Sequence, residues 1–221
     1  FLHSQDRAYS VPELYEYVED AGLRISHFLS TGHSEGNRLY DPGSYITDSK
    51  LLAKIRCLDA RQQNSVAELL HGRMHTHTIY ASPKEHPVPS IDNLDLIPFL
   101  SINFPEDAHD MFYSIACRAV GAITMGPPNQ QVSFTKTRHT EQLIKHLDGC
   151  RSTKTIFDKV MRSYRKDAPT YPQLLQEMKV IFDAMNTYDW MLIRDPSVKP
   201  FQSIESLQAR VTNMYKVMPI R

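Results

Sequence analysis

The side chains with the most chemistry to offer fall into four groups. His3, Gln5, Asp6, Arg7 and Tyr9 crowd one short stretch at the start of the chain. On their types alone they make a loop of local ion pairs and turn hydrogen bonds. His75 and His77 stand at i and i+2, which puts two imidazoles on one face of a strand, with His71 and His86 nearby and Cys57 upstream. Two ligands at that spacing suit zinc or iron, but no closely spaced Cys or carboxylate completes a set. The pair therefore reads as ordinary exposed strand histidines, and no metal is expected. Lys154, Lys159, Arg162, Arg165 and Lys166 form a basic run able to pair with phosphates. Base reading calls for Arg, Asn or Gln near the start of such a helix, and Ser152-Thr153-Lys154-Thr155 offers little of that. The last group, Cys150 with His146, is a nucleophile pair at i, i+4 without an orienting third residue. No G-x-S-x-G, Walker A loop or H-E-x-x-H occurs.

The elements that must position these groups read as follows. Ser10-Val11-Pro12-Glu13 is a capping box with proline in the first turn, and Leu14, Tyr17, Val18 and Ala21 follow at helical spacing up to Gly22. Residues 23–29 read as a strand. A Gly/Ser/Asp/Pro-rich loop covers 30–44, and a helical pair is predicted over 49–58 and 60–71, stopped by Gly72. Residues 74–81 read as a strand. The prolines at 83, 87 and 89 open a linker, taken as running over 83–130, within which 94–100 is a short strand or turn and 107–125 is ambiguous between helix and strand. Beyond it come a strand at 131–137, helices at 140–147, 153–164 and 171–185, and a strand at 189–194. Strand, three helices, strand is the order of a winged helix-turn-helix, assigned to 131–196 with 153–164 as its recognition helix. A terminal amphipathic helix is expected over 203–217, within a last segment 197–221. The fold class is α+β: the end of a larger core at 1–30, a helical accessory region with short strands at 31–82, then the winged-helix domain and a terminal helix.

Composition sets the outer limits. The chain has 221 residues, with 25 basic and 25 acidic side chains and net charge zero. That balance hides six acids and no Lys or Arg between Glu85 and Asp110, against nine bases and three acids between Lys136 and Lys166. The basic run is thus either a nucleic-acid face or a solvated face answering the acidic stretch. Eleven Tyr and nine Phe exclude a disordered chain. No apolar run is long enough to span a bilayer, and no secretory signal is visible. Three widely spaced cysteines argue against a disulfide framework and for a reducing, intracellular setting, cytoplasm or organelle matrix. A first residue of Phe rather than Met reads as the remainder of something longer, or as a processed product.

The run from Phe1 to Leu14, continuing to Ala21-Gly22-Leu23, resembles a segment of bacterial-type class I S-adenosylmethionine-dependent methyltransferases that follows the fifth strand of their Rossmann-like sheet. Ala67 to Gly72 with His75 to Tyr80 resembles the accessory region downstream in the same proteins. Leu147 to Ser152 and Tyr188 to Leu192 resemble their C-terminal winged-helix domain. The resemblance implies that His3, Gln5, Asp6, Arg7 and Tyr9 lie near the mouth of an active site, to orient an acceptor or close over the cofactor. It implies S-adenosylmethionine as the cofactor of the parent protein. The cofactor pocket itself has no counterpart here: eight glycines occur and none lie in a G-x-G. The expectation is a C-terminal portion serving substrate recognition, dimerisation or regulation. Its partners would be an N-terminal Rossmann-like half and a second copy or another protein, with no cofactor bound by this chain alone, no catalytic residue assigned within it and no membrane. The competing expectation is a non-enzymatic module whose basic winged helix binds RNA, a ribonucleoprotein or a protein.

Overall fold

The computed structural model describes residues 7–29, 36–86, 88–101, 108–128 and 130–198. The predicted helix at 203–217 lies outside them. Seven α-helices and six short strands in three antiparallel pairs are present among the described residues, an α+β chain. It divides into two compact units. The first comprises residues 1–89 with 127–130 and 187–189, and the second comprises 90–126, 131–186 and 190–221.

In the first unit, α1 (Val11–Asp20) starts where the sequence places it: the backbone N–H of Ser10 donates to Glu13 Oε2 at 2.9 Å and its hydroxyl to the same oxygen at 2.8 Å. Gly22, at φ +76°, makes the left-handed turn that sends the chain into β1 (Leu23–Leu29). Two 3₁₀ turns (Gly36–Tyr40 and Pro42–Ser44) follow, then α2 (Ser49–Ile55) capped by Asp48, and α3 (Ala60–His71) ended by Gly72 at φ +67°. β1 pairs with β2 (Thr78–Pro83). The core holds Val11, Phe28, Leu39 and Tyr40, with Leu14, Tyr15, Ile25, Met74 and Ile79 against it. Both predicted accessory helices form, yet α2 buries none of its residues and Leu69 of α3 is 79% exposed. Helical spacing located these helices but did not locate a core beneath them.

The second unit contains β3 (Ile97–Leu100), α4 (Ala108–Arg118), β4 (Ala122–Met125), β5 (Val132–Thr135), α5 (Thr140–Lys145), α6 (Thr153–Ser163), α7 (Tyr171–Asn186) and β6 (Met191–Arg194). The predicted order strand–helix–helix–helix–strand is present in β5 to β6. Its two strands pair elsewhere, however: β5 with β4, and β6 with β3. Residues 97–125, read as a connecting segment, therefore supply a helix and two strands that complete this unit. The reason is hydrogen bonding, since among the described residues neither β5 nor β6 pairs with any other strand. Phe112, Ile123, Leu143, Ile144, Phe157, Leu174, Met178 and Met191 are fully buried here, a core drawn from within the segment 83–130 and from the chain after it. No helix among the described residues is long and apolar enough to cross a membrane.

Candidate functional site

Of the opening cluster, His3, Gln5 and Asp6 lie outside the described residues. Arg7 and Tyr9 make local contacts. The Arg7 guanidinium lies 4.9 Å from the Tyr9 ring centre and 3.5 Å from Glu13 Oε1, while Tyr9 packs against Tyr17 at 5.2 Å between ring centres. Glu13, held by Ser10 first and Arg7 second, has its carboxyl below the usual carboxylate range. These bonds keep the loop before α1 in place.

The two strand histidines are neither equivalent nor on a strand. β2 begins at Thr78, so His75 and His77 precede it. His75 is exposed, whereas the His77 side chain is only 7% exposed and sits in a relay. The Tyr40 hydroxyl lies 2.8 Å from His77 Nδ1, and His77 Nε2 lies 3.3 Å from Glu68 Oε1. Glu68 Oε2 then accepts the N–H of Val11 at 2.8 Å, so the relay ends on the first turn of α1. This arrangement makes Nδ1 the acceptor and Nε2–H the donor. Burial raises the Tyr40 phenol, with the Glu68 charge adding to it, and so keeps it a donor. His77 thus ties three elements together. No group of three or more His, Cys, Asp or Glu among the described residues is arranged to hold a metal ion.

The basic run is largely open to water. Lys154, Arg162, Arg165 and Lys166 are exposed and Lys159 is half-buried, while Ile156, Phe157 and Val160 turn the other side of α6 inward. Arg165 and Lys166 lie past the end of α6. Cys150 is exposed and free. His146 is depressed chiefly by burial, then by the charges of Arg151, Lys159 and Lys145.

A cluster that sequence reasoning missed lies on the face of β1–β2 turned away from the core. The register is Leu23 with Pro83, Arg24 with Ser82 and Ile25 with Ala81, then His27 with Tyr80, leaving Ser26 as the extra residue of a bulge. Core-facing Ile25 and Phe28 are three apart, not two, so Ser26 shares the side of Arg24 by ordinary alternation and the bulge adds His27 to it. The Ser26 and Ser82 hydroxyls are 2.7 Å apart. His27 Nε2 lies 2.7 Å from Oδ1 of Asp189, which is 1% exposed and adopts φ +57°. The sequence placed Asp189 at the start of a strand; the left-handed backbone there instead turns the chain before β6 begins at Met191. Tyr80, opposite His27, is raised by burial and then by the Asp189 charge. Arg24 Nε and Nη2 are buried without a hydrogen-bond partner. The available signal was the break in alternation at Ser26-His27, two polar residues in succession within an otherwise alternating strand.

No protein-family model matches the chain.

Proposed function

We propose that this chain is the C-terminal recognition, dimerisation or regulatory portion of a class I S-adenosylmethionine-dependent methyltransferase, and that it does not itself build the cofactor pocket. The observation that carries this reading is the segment 7–29, where the sequence closest to the methyltransferase phrase folds as a capped helix feeding an antiparallel strand. The residue pattern reads as loop, helix and edge strand, and the resemblance sets this phrase after the fifth strand of the catalytic core. The lack of any G-x-G among eight glycines supports leaving the cofactor to another part of the polypeptide. Leu51, Leu58, Leu69 and Leu70, all exposed, support a role in contacts with another protein surface. Arg7 and Tyr9 are the described members of the group that the resemblance sets near an active-site mouth, and their contacts shape the loop before α1.

The test is ultraviolet crosslinking with radiolabelled S-adenosylmethionine. The polypeptide that carries these residues in its cell is expected to take the label outside residues 7–198, and the 221-residue chain alone to take none. Label on the isolated chain, or on neither, would overturn the reading.

The second reading, a non-enzymatic module for RNA, a ribonucleoprotein or a protein, rests on the exposure of Lys154, Arg162, Arg165 and Lys166. Retention on RNA at low salt that falls steeply as salt rises supports it. No retention at low salt removes the nucleic-acid form of it.

A further inference from the structure

The outer face of β1–β2 carries Arg24, two of whose guanidinium nitrogens have no hydrogen-bond partner among the described residues. Arg24 Nε and Nη2 are the two nitrogens on one edge of the guanidinium, and their N–H bonds run parallel, spaced to meet two oxygens of one carboxylate or phosphoryl group. Those two atoms are the ones buried without a partner. Arg24 as a residue is partly exposed, but two buried N–H donors without acceptors lower stability, and folded proteins keep such groups mainly where something else completes them. One water offers a single oxygen to both donors and carries no charge to balance the guanidinium.

The neighbours suit the same guest. Ser82 is the direct cross-strand partner of Arg24, and its hydroxyl lies 2.7 Å from that of Ser26. In a hydroxyl pair one proton is used between the two oxygens, and the accepting hydroxyl has its own proton to give elsewhere. Arg24 and Ser26 share this side by strand alternation, and the bulge at Ser26 brings His27 to it as well. Asp189, a carboxylate on this face, is engaged by His27 at 2.7 Å.

We infer that the outer face of β1–β2 is an oxyanion site, in which the Arg24 fork and the Ser26/Ser82 hydroxyls bind the carboxylate or phosphoryl group of a small-molecule ligand. The site stands independently of the methyltransferase reading, because it uses no cofactor and no residue of the loop before α1.

The test compares thermal unfolding and titration calorimetry of the full chain in inorganic phosphate, in malonate and in sodium chloride of equal ionic strength. At least one oxyanion is expected to raise the Tm of the unsubstituted chain above its chloride value and to bind with a measurable Kd. A response to phosphate alone assigns a phosphoryl group, and a response to malonate alone assigns a carboxylate. Arg24→Met is expected to abolish the difference between salts, which separates site binding from the general stabilising effect of excluded salts. Arg24→Lys keeps the charge and loses the fork, and is expected to weaken binding about tenfold or more. Equal Tm in all three salts, an unchanged salt difference in Arg24→Met, or an unchanged Kd in Arg24→Lys would each overturn the site. The lysine variant carries the decision if the methionine variant does not fold.

Discussion

Compare the polar cluster of the second unit with that of the first. At the start of α5, His139 Nδ1 lies 2.8 Å from Glu177 Oε1 of α7, and the Thr137 hydroxyl bonds the other carboxylate oxygen. The Thr140 hydroxyl accepts the Thr137 N–H at 2.9 Å, and the His139 ring meets Tyr164 edge-on with centres 5.3 Å apart. Both oxygens of Glu177 are used. On β1–β2, by contrast, an equally well-placed set of side chains ends in a guanidinium with two buried nitrogens unanswered. The difference separates two uses of buried polarity. A closed network fixes helices against one another and offers nothing to a ligand. An open one destabilises the fold until something fills it.

The largest expected effect lies in the closed network. Glu177→Ala strands His139 and Thr137 together, and should lower unfolding free energy by about 3 kcal/mol in urea titration. A loss smaller than about 1 kcal/mol would mean the network is not what fixes α5 to α7. His77→Ala, which breaks the relay from Tyr40 to Glu68, should cost about 2 kcal/mol by the same measurement. Arg24→Met should move the other way, raising stability in chloride by about 1 kcal/mol, because it removes two buried N–H donors that lack an acceptor. A destabilised Arg24→Met would place Arg24 among the completed groups and erase the contrast.

The smallest effect concerns pH. His146 has its folded pKa held below its unfolded value by burial and by Arg151, Lys159 and Lys145. As pH falls through the ordinary histidine range, the unfolded chain takes up the proton before the folded one, so stability decreases toward the lower folded pKa. His146→Gln should flatten the dependence of the urea midpoint between about pH 7 and pH 5. An unchanged slope would assign that dependence to other groups.

How much of this was legible in the sequence depended on the range of the interaction. Ser10 with Glu13, Gly22 and Gly72 are local signals, and α1, α3 and the turn into β1 form where those residues stand. The strand pairing of the second unit was not legible, because β6 finds β3 across most of that unit and short apolar runs carry no record of their partners. The chain passes from the first unit to the second after Pro89, and within the segment read as a linker Pro98 sits inside β3. The basic run on α6 was visible as charge, and its exposure follows from helical spacing. The β1–β2 cluster depends on a bulge, on Asp189 meeting His27 from far along the chain, and on the burial of one edge of Arg24. Residue type reveals none of these. Only the double polar step Ser26-His27 hinted at the first.

The central contrast is tested most directly by following the Arg24 Nε–H resonance in ¹H–¹⁵N spectra, assigned by its loss in Arg24→Lys, during titration with inorganic phosphate and with malonate. A site that the fold leaves open predicts that this signal shifts downfield in a saturable way with one of them, while the ring signals of His139 stay in place. An Arg24 signal that does not move with either anion, or that moves only in step with every exposed arginine, would contradict it.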